Sequence, residues 1–205
     1  MLIVAAACAM AVAGLTALVK SFPYIALDDA VLRAIQSVDL GSLAAPFPVF
    51  RWAGGPGGLY MTAATILLVL VFNRRAWLLA VTAIVGGVWY EALIALVHRP
   101  RPTAEQVLRI TEHPGATSFP SGHVIFITIN LAVLMLCVGH RYLPARGRAI
   151  GWAVVAAIAL LVAISRVYVG AHWPTDVLAS LLVATGWLCL VVSLRRISDP
   201  ALGKN

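Results

Sequence analysis

Two long apolar runs are joined by the sequence Ser165-Arg166-Val167-Tyr168-Val169-Gly170-Ala171-His172-Trp173-Pro174-Thr175-Asp176. Proline suits the first turn of a helix, so the second run is predicted to begin a helix at Pro174. His172 stands just before that turn and Asp176 just inside it, where the carboxylate can reach back to one ring nitrogen of His172. Arg166 ends the first run and is turned toward the same point by the short connection. This grouping is what an activated nucleophile requires, although a helix-stabilising aspartate with an interfacial histidine is the alternative interpretation.

Composition places both runs in a membrane. The 205 residues are 61% apolar and only 11% charged, whereas a soluble domain carries roughly 25% charged residues. A membrane-spanning helix needs about 20 mostly apolar residues, and several segments approach that length. They are residues 2–19, 57–72, 76–97, 122–139, 149–164 and 177–194. We therefore predict an all-α, polytopic membrane helical bundle with about six transmembrane helices, folded as a single domain over residues 1–205.

The segments between these spans differ in character. In residues 21–50, apolar positions recur at helical spacing among charged ones, which predicts an amphipathic helix. Such a helix lies at the membrane interface or caps the bundle, and the two interpretations are compatible. In the loop 103–119, Glu112 and His113 are expected to be solvated rather than to line a headgroup entrance. The polar tail 195–205 is expected to be loosely ordered.

The distribution of Lys and Arg predicts the orientation of the bundle. The loops after the second and fourth spans and the C-terminal tail are rich in basic residues and contain one acidic residue, Asp199. On the opposite side the basic residues are nearly balanced by acidic ones. The first side is therefore predicted to be cytoplasmic. The protein is predicted to lie in the cell membrane, with both termini in the cytoplasm. The segment 165–176 then lies on the extracytoplasmic side, together with two further polar clusters.

The first of these clusters, Pro120-Ser121-Gly122-His123, opens the fourth predicted span. Serine is a favourable N-cap, and glycine lets a ligand approach the backbone closely. Free N–H groups at a helix N-terminus favour an anion, so a phosphate held by Ser121 and the Gly122 amide fits there. His123 is then positioned to donate a proton to a leaving-group oxygen. A capped helix with an incidental histidine explains these four residues equally well.

The second cluster, His98-Arg99-Pro100-Arg101-Pro102, alternates guanidinium groups with prolines in an extended segment. Arginine binds phosphate oxygens bidentately, although topological charges are the simpler interpretation of this cluster alone. Phosphoryl transfer with a metal requires clustered carboxylates, and near the motifs the outer side offers only Asp176. We therefore expect arginines to supply the positive charge, with no metal and no cofactor. The net charge of +7 is found at the ends of apolar runs, so we expect no nucleic-acid partner.

These motifs resemble the type-2 phosphatidic acid phosphatase superfamily, which contains membrane lipid phosphatases and relatives of the vanadium haloperoxidases. The family signature is Lys, six residues, Arg-Pro; then Pro-Ser-Gly-His; then Ser-Arg, five residues, His, three residues, Asp. Its second and third parts are complete here, and the resemblance covers about residues 76–194. It implies that His172 is the nucleophile that forms a phosphohistidine, that Asp176 orients it, and that His123 is the general acid. It further implies that phosphate is bound by Arg101, Ser121, Gly122 and Arg166.

The first part of the signature departs from the family pattern. Ile94 stands where the family has lysine, counting back from Arg101-Pro102. We therefore expect the missing phosphate contact to come from Arg99 or His98.

The sequence thus predicts metal-independent hydrolysis of a lipid phosphate or diphosphate at the extracytoplasmic membrane face. Polyprenyl diphosphate, phosphatidylglycerol phosphate and phosphatidic acid all fit a site near the headgroup level. A phosphotransferase using a lipid diphosphate would share every motif residue. A non-catalytic protein that binds lipid phosphate is the third possibility, and the departure at Ile94 is its only support.

Overall fold

The regular secondary structure is helical in the part of the chain that the structure, a computed structural model, describes. These residues are 1–85, 87–112 and 115–203, so His113 and the last two residues of the tail lie outside them. Eleven α-helices and no strand occur within these ranges. The helices are α1 Leu2–Ser21, α2 Ala26–Ser37, α3 Phe47–Gly54, α4 Gly58–Asn73, α5 Trp77–Val85, α6 Val88–Leu96, α7 Gly122–Leu134, α8 His140–Tyr142, α9 Ala145–Tyr168, α10 Pro174–Ser193 and α11 Arg195–Leu202. The all-α prediction is confirmed.

Five helical stretches of the described residues are long and apolar enough to cross a membrane, by length and composition. They are Leu2–Ser21, Gly58–Leu96, Gly122–Tyr142, Ala145–Tyr168 and Pro174–Ser193. The second has 39 residues, which as one straight helix would measure roughly 58 Å against a hydrocarbon core of about 30 Å. It is interrupted at Asn73, whose φ of −152° and ψ of 70° are not helical. Two of the predicted spans fall within it, and the count of six stays a prediction.

Helix α7 is the centre of the bundle. It packs against α3, α4, α5, α9 and α10. Ile125, Ile129 and Val133, one turn apart, form one buried stripe against α5 and α10, while Val124 and Ile127 face a second cluster that includes residues of α9. A helix that is apolar on every side is a buried helix. The N-terminus of α7, where the Pro-Ser-Gly-His motif lies, is thereby held in the middle of the bundle.

The outer surface of the bundle is apolar as well. Leu59 and Val71 on α4 are 78% and 67% exposed, and Ile150 on α9 is 58% exposed. Side chains of this kind are stable on a surface that contacts lipid rather than water. The described helices are therefore those of a multi-pass membrane protein.

Helix α2 caps the bundle and packs against α9 and α10. Its buried residues are Asp28, Leu32 and Gln36, which are one turn apart, whereas Leu27 and Val31 on its outer side are exposed. The helix thus turns a largely polar stripe toward the protein and apolar side chains outward. The sequence pattern predicts the helix and its capping position but not the polarity of its packed side.

The tail is ordered, contrary to expectation, at least as far as residue 203. Arg195–Leu202 forms α11, in which Ser198 and Ala201 are buried. The side-chain amide of Asn73 donates hydrogen bonds to the carbonyls of Ala201 (2.9 Å) and Cys137 (2.7 Å). The same residue therefore ends α4 and anchors the tail, because its buried amide must be satisfied by neighbouring backbone.

Candidate active site

The three polar motifs meet at one end of the bundle. Arg101, His123 and His172 line a single cavity of about 240 Å³, together with Gly122 and Ile94. The N-termini of α7 and α10 and the C-terminus of α9 reach this end, so the motifs of three distant segments share one site.

His172 is held with one ring nitrogen toward the cavity. The residue is 3% exposed, and its Nδ1 lies 2.6 Å from the carbonyl oxygen of Ser118. A carbonyl only accepts hydrogen bonds, so Nδ1 carries the proton and Nε2 of the neutral ring has the free lone pair. Arg101 Nη1 lies 3.3 Å from Nε2, which is consistent because a guanidinium only donates. Burial lowers the pKa of His172 from the ordinary imidazole value, against the opposing effect of Asp176. The ring is therefore neutral near pH 7.

Asp176 does not orient His172 in the predicted way. Its Oδ2 lies 3.7 Å from His172 Nδ1, which is beyond hydrogen-bonding distance. Oδ2 instead accepts a hydrogen bond from the Trp173 backbone N–H (2.9 Å) and caps α10, while Oδ1 binds Arg99 Nη1 at 2.6 Å. The hydrogen bond that fixes the tautomer of His172 comes from the chain at Ser118, and Asp176 acts on the ring through its charge.

Arg99 lies behind Asp176 rather than in the cavity, which corrects its predicted role as the substitute for the missing lysine. Its side chain is fully buried and forms ion pairs with both Asp176 and Asp28, each at 2.6 Å. Nε donates to the carbonyl of Pro23 at 2.9 Å, so most of the guanidinium donors are already bound to the protein. His98, the other predicted substitute, is exposed and does not line the cavity.

Helix α2 contributes Asp28 to the buried ion pairs of Arg99. Asp28 accepts hydrogen bonds from the backbone N–H of Thr175 (2.9 Å) and from its hydroxyl (2.7 Å). The first turn of α10, just after His172, is thereby joined to α2 and Arg99. Asp28 therefore supports the site, although the sequence does not predict this role. In the sequence it is only one of two acidic residues in the first turn of a helix.

Arg101 is the arginine that faces the cavity. Its Nε donates to the carbonyl of Gly115 at 2.8 Å, and Nη1 donates to the carbonyl of Ala171. These two bonds fix the guanidinium beside Nε2 of His172 and leave other N–H donors for a ligand.

Ser121 is buried at the start of α7, but its hydroxyl does not cap the helix. Its backbone N–H donates to Ser180 Oγ at 2.7 Å, whereas its own Oγ has no hydrogen-bond partner among the described residues. A Cβ on Gly122 would lie 3.1 Å from the ring of Tyr90. Gly122 lines the cavity, whereas Ser121 is 0% exposed and lies behind the cavity wall. A helix N-terminus with an unsatisfied hydroxyl beside it favours an anionic ligand.

The ring of His123, in the first turn of α7, packs against α3. Its Nε2 is 3.2 Å from the carbonyl oxygen of Arg51. A Cβ on Gly54 would lie 2.5 Å from the imidazole Cδ2. Glycine at this position is therefore required for the close approach of α3 to the ring.

Arg166 is fully buried and paired with Glu112. Nη1 lies 2.7 Å from Glu112 Oε2, and Nη2 lies 3.5 Å from Oε1. The expectation that Glu112 is a solvated loop residue is wrong, since its side chain is only 11% exposed. Arg166 is close to the site but does not line the cavity.

No three side chains of His, Cys, Asp or Glu come together as a metal site anywhere in residues 1–85, 87–112 and 115–203. The three cysteines are free.

Comparison with known sequences gives a family match. The profile of the PAP2 superfamily matches residues 74–198. The chain is 37% identical over 115 residues to the undecaprenyl-diphosphatase BcrC of Bacillus subtilis, covering 55% of this chain and 54% of that protein. It is 31% identical over 154 residues to the decaprenylphosphoryl-5-phosphoribose phosphatase of Mycobacterium tuberculosis, covering 73% and 80%. The matched region thus spans about half the length of the first relative.

Two solved structures have the same fold. The PAP2-type phosphatidylglycerolphosphate phosphatase from Bacillus subtilis superposes with a TM-score of 0.77 at 20% identity, covering 94% of this chain and 96% of that one. Aquifex aeolicus LpxE gives a TM-score of 0.66 at 21% identity, covering 84% and 98%.

Proposed function

Because the chain belongs to the PAP2 superfamily, we propose that it hydrolyses a membrane lipid phosphate or diphosphate through a phosphohistidine at His172. The observation that carries the proposal is the hydrogen bond between His172 Nδ1 and the Ser118 carbonyl, which leaves the Nε2 lone pair available to attack phosphorus. His123 lines the same cavity and supplies the general acid.

In the first step, Nε2 of His172 forms a bond to phosphorus, and the P–O bond to the lipid, or to the lipid monophosphate, breaks. His123 gives its proton to the leaving oxygen. The phosphorylated ring carries a positive charge, which the carboxylate of Asp176, 3.7 Å from Nδ1, stabilises.

In the second step, a water molecule attacks phosphorus and the P–N bond breaks. His123, now unprotonated, takes a proton from this water, and inorganic phosphate leaves. His172 returns to its neutral state with the proton still on Nδ1, held by the Ser118 carbonyl. No metal takes part in either step.

Arg101 and Arg166 bind the phosphate oxygens, and Ser121 Oγ and the Gly122 N–H complete the site. The hydroxyl of Ser121 has no hydrogen-bond partner among the described residues, and a phosphate oxygen would satisfy it, which supports this assignment. The position of Gly122 at the first turn of α7 supports it as well, because free N–H groups there point toward the ligand.

The substrate is a lipid whose tail stays in the bilayer while its phosphate enters the cavity, with a polyprenyl diphosphate as the first candidate. The names of the two relatives reported above support a polyprenyl lipid. The site faces the extracytoplasmic side of the cell membrane in this proposal, on the basis of the Lys and Arg distribution.

Phosphate release by the purified protein in detergent, with EDTA present, tests the proposal. The substrates are a polyprenyl diphosphate, phosphatidylglycerol phosphate and phosphatidic acid, and His172→Ala is the control. We expect metal-independent release that the variant lacks. Release that needs a divalent cation, or that survives in His172→Ala, would contradict the histidine mechanism.

A further inference from the structure

The guanidinium of Arg166 is already bound to an anion of the protein itself. Glu112 approaches its two terminal nitrogens at 2.7 and 3.5 Å, and Ser165 Oγ accepts from Nε at 3.2 Å. The arginine side chain is 0% exposed and the glutamate 11%. A carboxylate therefore occupies the fork that a phosphate would use, because both anions bind a guanidinium through two oxygens.

The segment that leads to Glu112, residues 108–111, is bonded to the rest of the protein. Gln36 of α2 is fully buried, and its Oε1 accepts hydrogen bonds from the backbone N–H groups of Leu108 (2.9 Å) and Arg109 (3.1 Å). The N–H of Thr111 donates to the carbonyl of Val169 at 3.1 Å, next to the end of α9. The ion pair between Glu112 and Arg166 is therefore a fixed contact. A chance pair on a mobile surface would contribute almost nothing to the free energy of folding.

Arg101 and Arg166 differ in the charge of the groups that they already bind. The donors of Arg101 described above bind carbonyl oxygens, which are neutral, and Arg101 lines the cavity. Arg166 is neutralised by a carboxylate and is withdrawn from the cavity wall. A phosphate that enters therefore meets Arg101 directly, whereas it meets Arg166 in competition with Glu112.

Resting on the function proposed above, we propose that Glu112 competes with phosphate for Arg166 and thereby sets how tightly the site binds phosphate. An incoming phosphate displaces the carboxylate from one or both terminal nitrogens or shares the guanidinium with it. Phosphate affinity is reduced in both the substrate complex and the product complex. The consequence is rapid release of inorganic phosphate from a site that still contains two arginines.

Inhibition by inorganic phosphate measures this competition. Glu112→Gln removes the charge and keeps the shape, and Glu105→Gln is the matched control, because Glu105 is an exposed carboxylate of the same loop. We expect the inhibition constant for phosphate and KM to fall roughly tenfold or more in Glu112→Gln, since a like charge beside the ligand is removed. The control should stay close to the parent protein.

An unchanged or raised inhibition constant in Glu112→Gln, or an equal fall in Glu105→Gln, would overturn the proposal. So would a raised KM together with a reduced kcat, which is the result expected if Glu112 only holds Arg166 in place. Glu112→Ala is the second variant and should also bind phosphate more tightly. Titration of the purified proteins with inorganic phosphate by calorimetry gives the same comparison without turnover, so its result stands even if none of the lipids is hydrolysed.

Discussion

At the scale of single residues, the hydroxyl of Ser121 gives a direct test of the proposed phosphate site. It is buried and has no hydrogen-bond partner in the described part of the chain, a condition that costs about 1–3 kcal/mol. We expect Ser121→Ala to leave the free energy of unfolding unchanged or slightly higher. Phosphate release should fall roughly 10- to 100-fold, the value of a hydrogen bond to a charged group.

Ser180→Ala is the matched control for this variant. Ser180 Oγ accepts the N–H of Ser121 and donates to the carbonyl of Asp176, both at 2.7 Å. Its loss should lower thermal stability in detergent, in contrast to Ser121→Ala. A Ser121→Ala protein that unfolds at a clearly lower temperature would show that the hydroxyl supports the fold instead.

Variants of Arg99 and Arg101 should differ in thermal stability and in inhibition by inorganic phosphate. Arg99→Gln leaves Asp28 and Asp176 buried without their common partner, and we expect the free energy of unfolding to fall by roughly 3–5 kcal/mol. Arg101→Gln should change stability less and weaken inhibition by inorganic phosphate. Thermal unfolding and phosphate inhibition, measured on both variants, separate the two roles. If Arg99→Gln unfolds like the parent protein but binds phosphate poorly, then Arg99 belongs to the phosphate site.

At the scale of helices, α2 supports the site through its polar stripe. Gln36 is fully buried, and its amide makes four hydrogen bonds, two with loop N–H groups and two with the carbonyls of Arg109 and Tyr168. Asp28, on the same buried stripe of α2, binds the first turn of α10 and Arg99. The helix therefore holds both the loop before α7 and the loop before α10.

Replacing Gln36 should release the loop of residues 107–112. In Gln36→Leu several backbone groups lose their hydrogen-bond partner, and we expect the free energy of unfolding to fall by about 3 kcal/mol. Hydrogen exchange should become faster at Leu108 and Arg109, and phosphate release should fall. Ser37→Ala is the control, because Ser37 is exposed and its hydroxyl bonds only to its own helix. Exchange that stays slow in Gln36→Leu would show that the loop is held by other contacts.

The starts of α7 and α10 were predictable from local chemistry, whereas the support from α2 was not. Pro174 begins α10 as its residue type suggests, and Ser121 stands at the N-cap position of α7, although its hydroxyl makes no capping hydrogen bond. The bonds of Gln36, by contrast, join residues 73 and 132 positions apart in the chain. A helical period shows that α2 is amphipathic, but it does not show which side packs against protein when the other side faces lipid. For the same reason, spacing alone could not tell that Arg101 faces the cavity and Arg99 the buried carboxylates.

At the scale of the whole molecule, the orientation in the membrane can be tested with added cysteines. Glu105→Cys lies in the loop beside the site, and Arg75→Cys lies in the exposed turn between α4 and α5. We expect a membrane-impermeant thiol reagent to label position 105 in intact cells and position 75 only after permeabilisation, following the Lys and Arg distribution. The parent chain with its three cysteines gives the background. The reverse labelling pattern would place the site on the cytoplasmic side.

Helix α2 has a consequence for how such a protein can be divided or recombined. The segment that defines the family begins at residue 74, yet Asp28 and Gln36, which satisfy its buried arginine and its loop, come from before it. The unit that is recognisably inherited is therefore shorter than the unit that must fold together. A chimera that exchanged only residues 74–198 between relatives would carry every motif and still depend on whether the recipient's second helix offers a carboxylate and an amide eight residues apart.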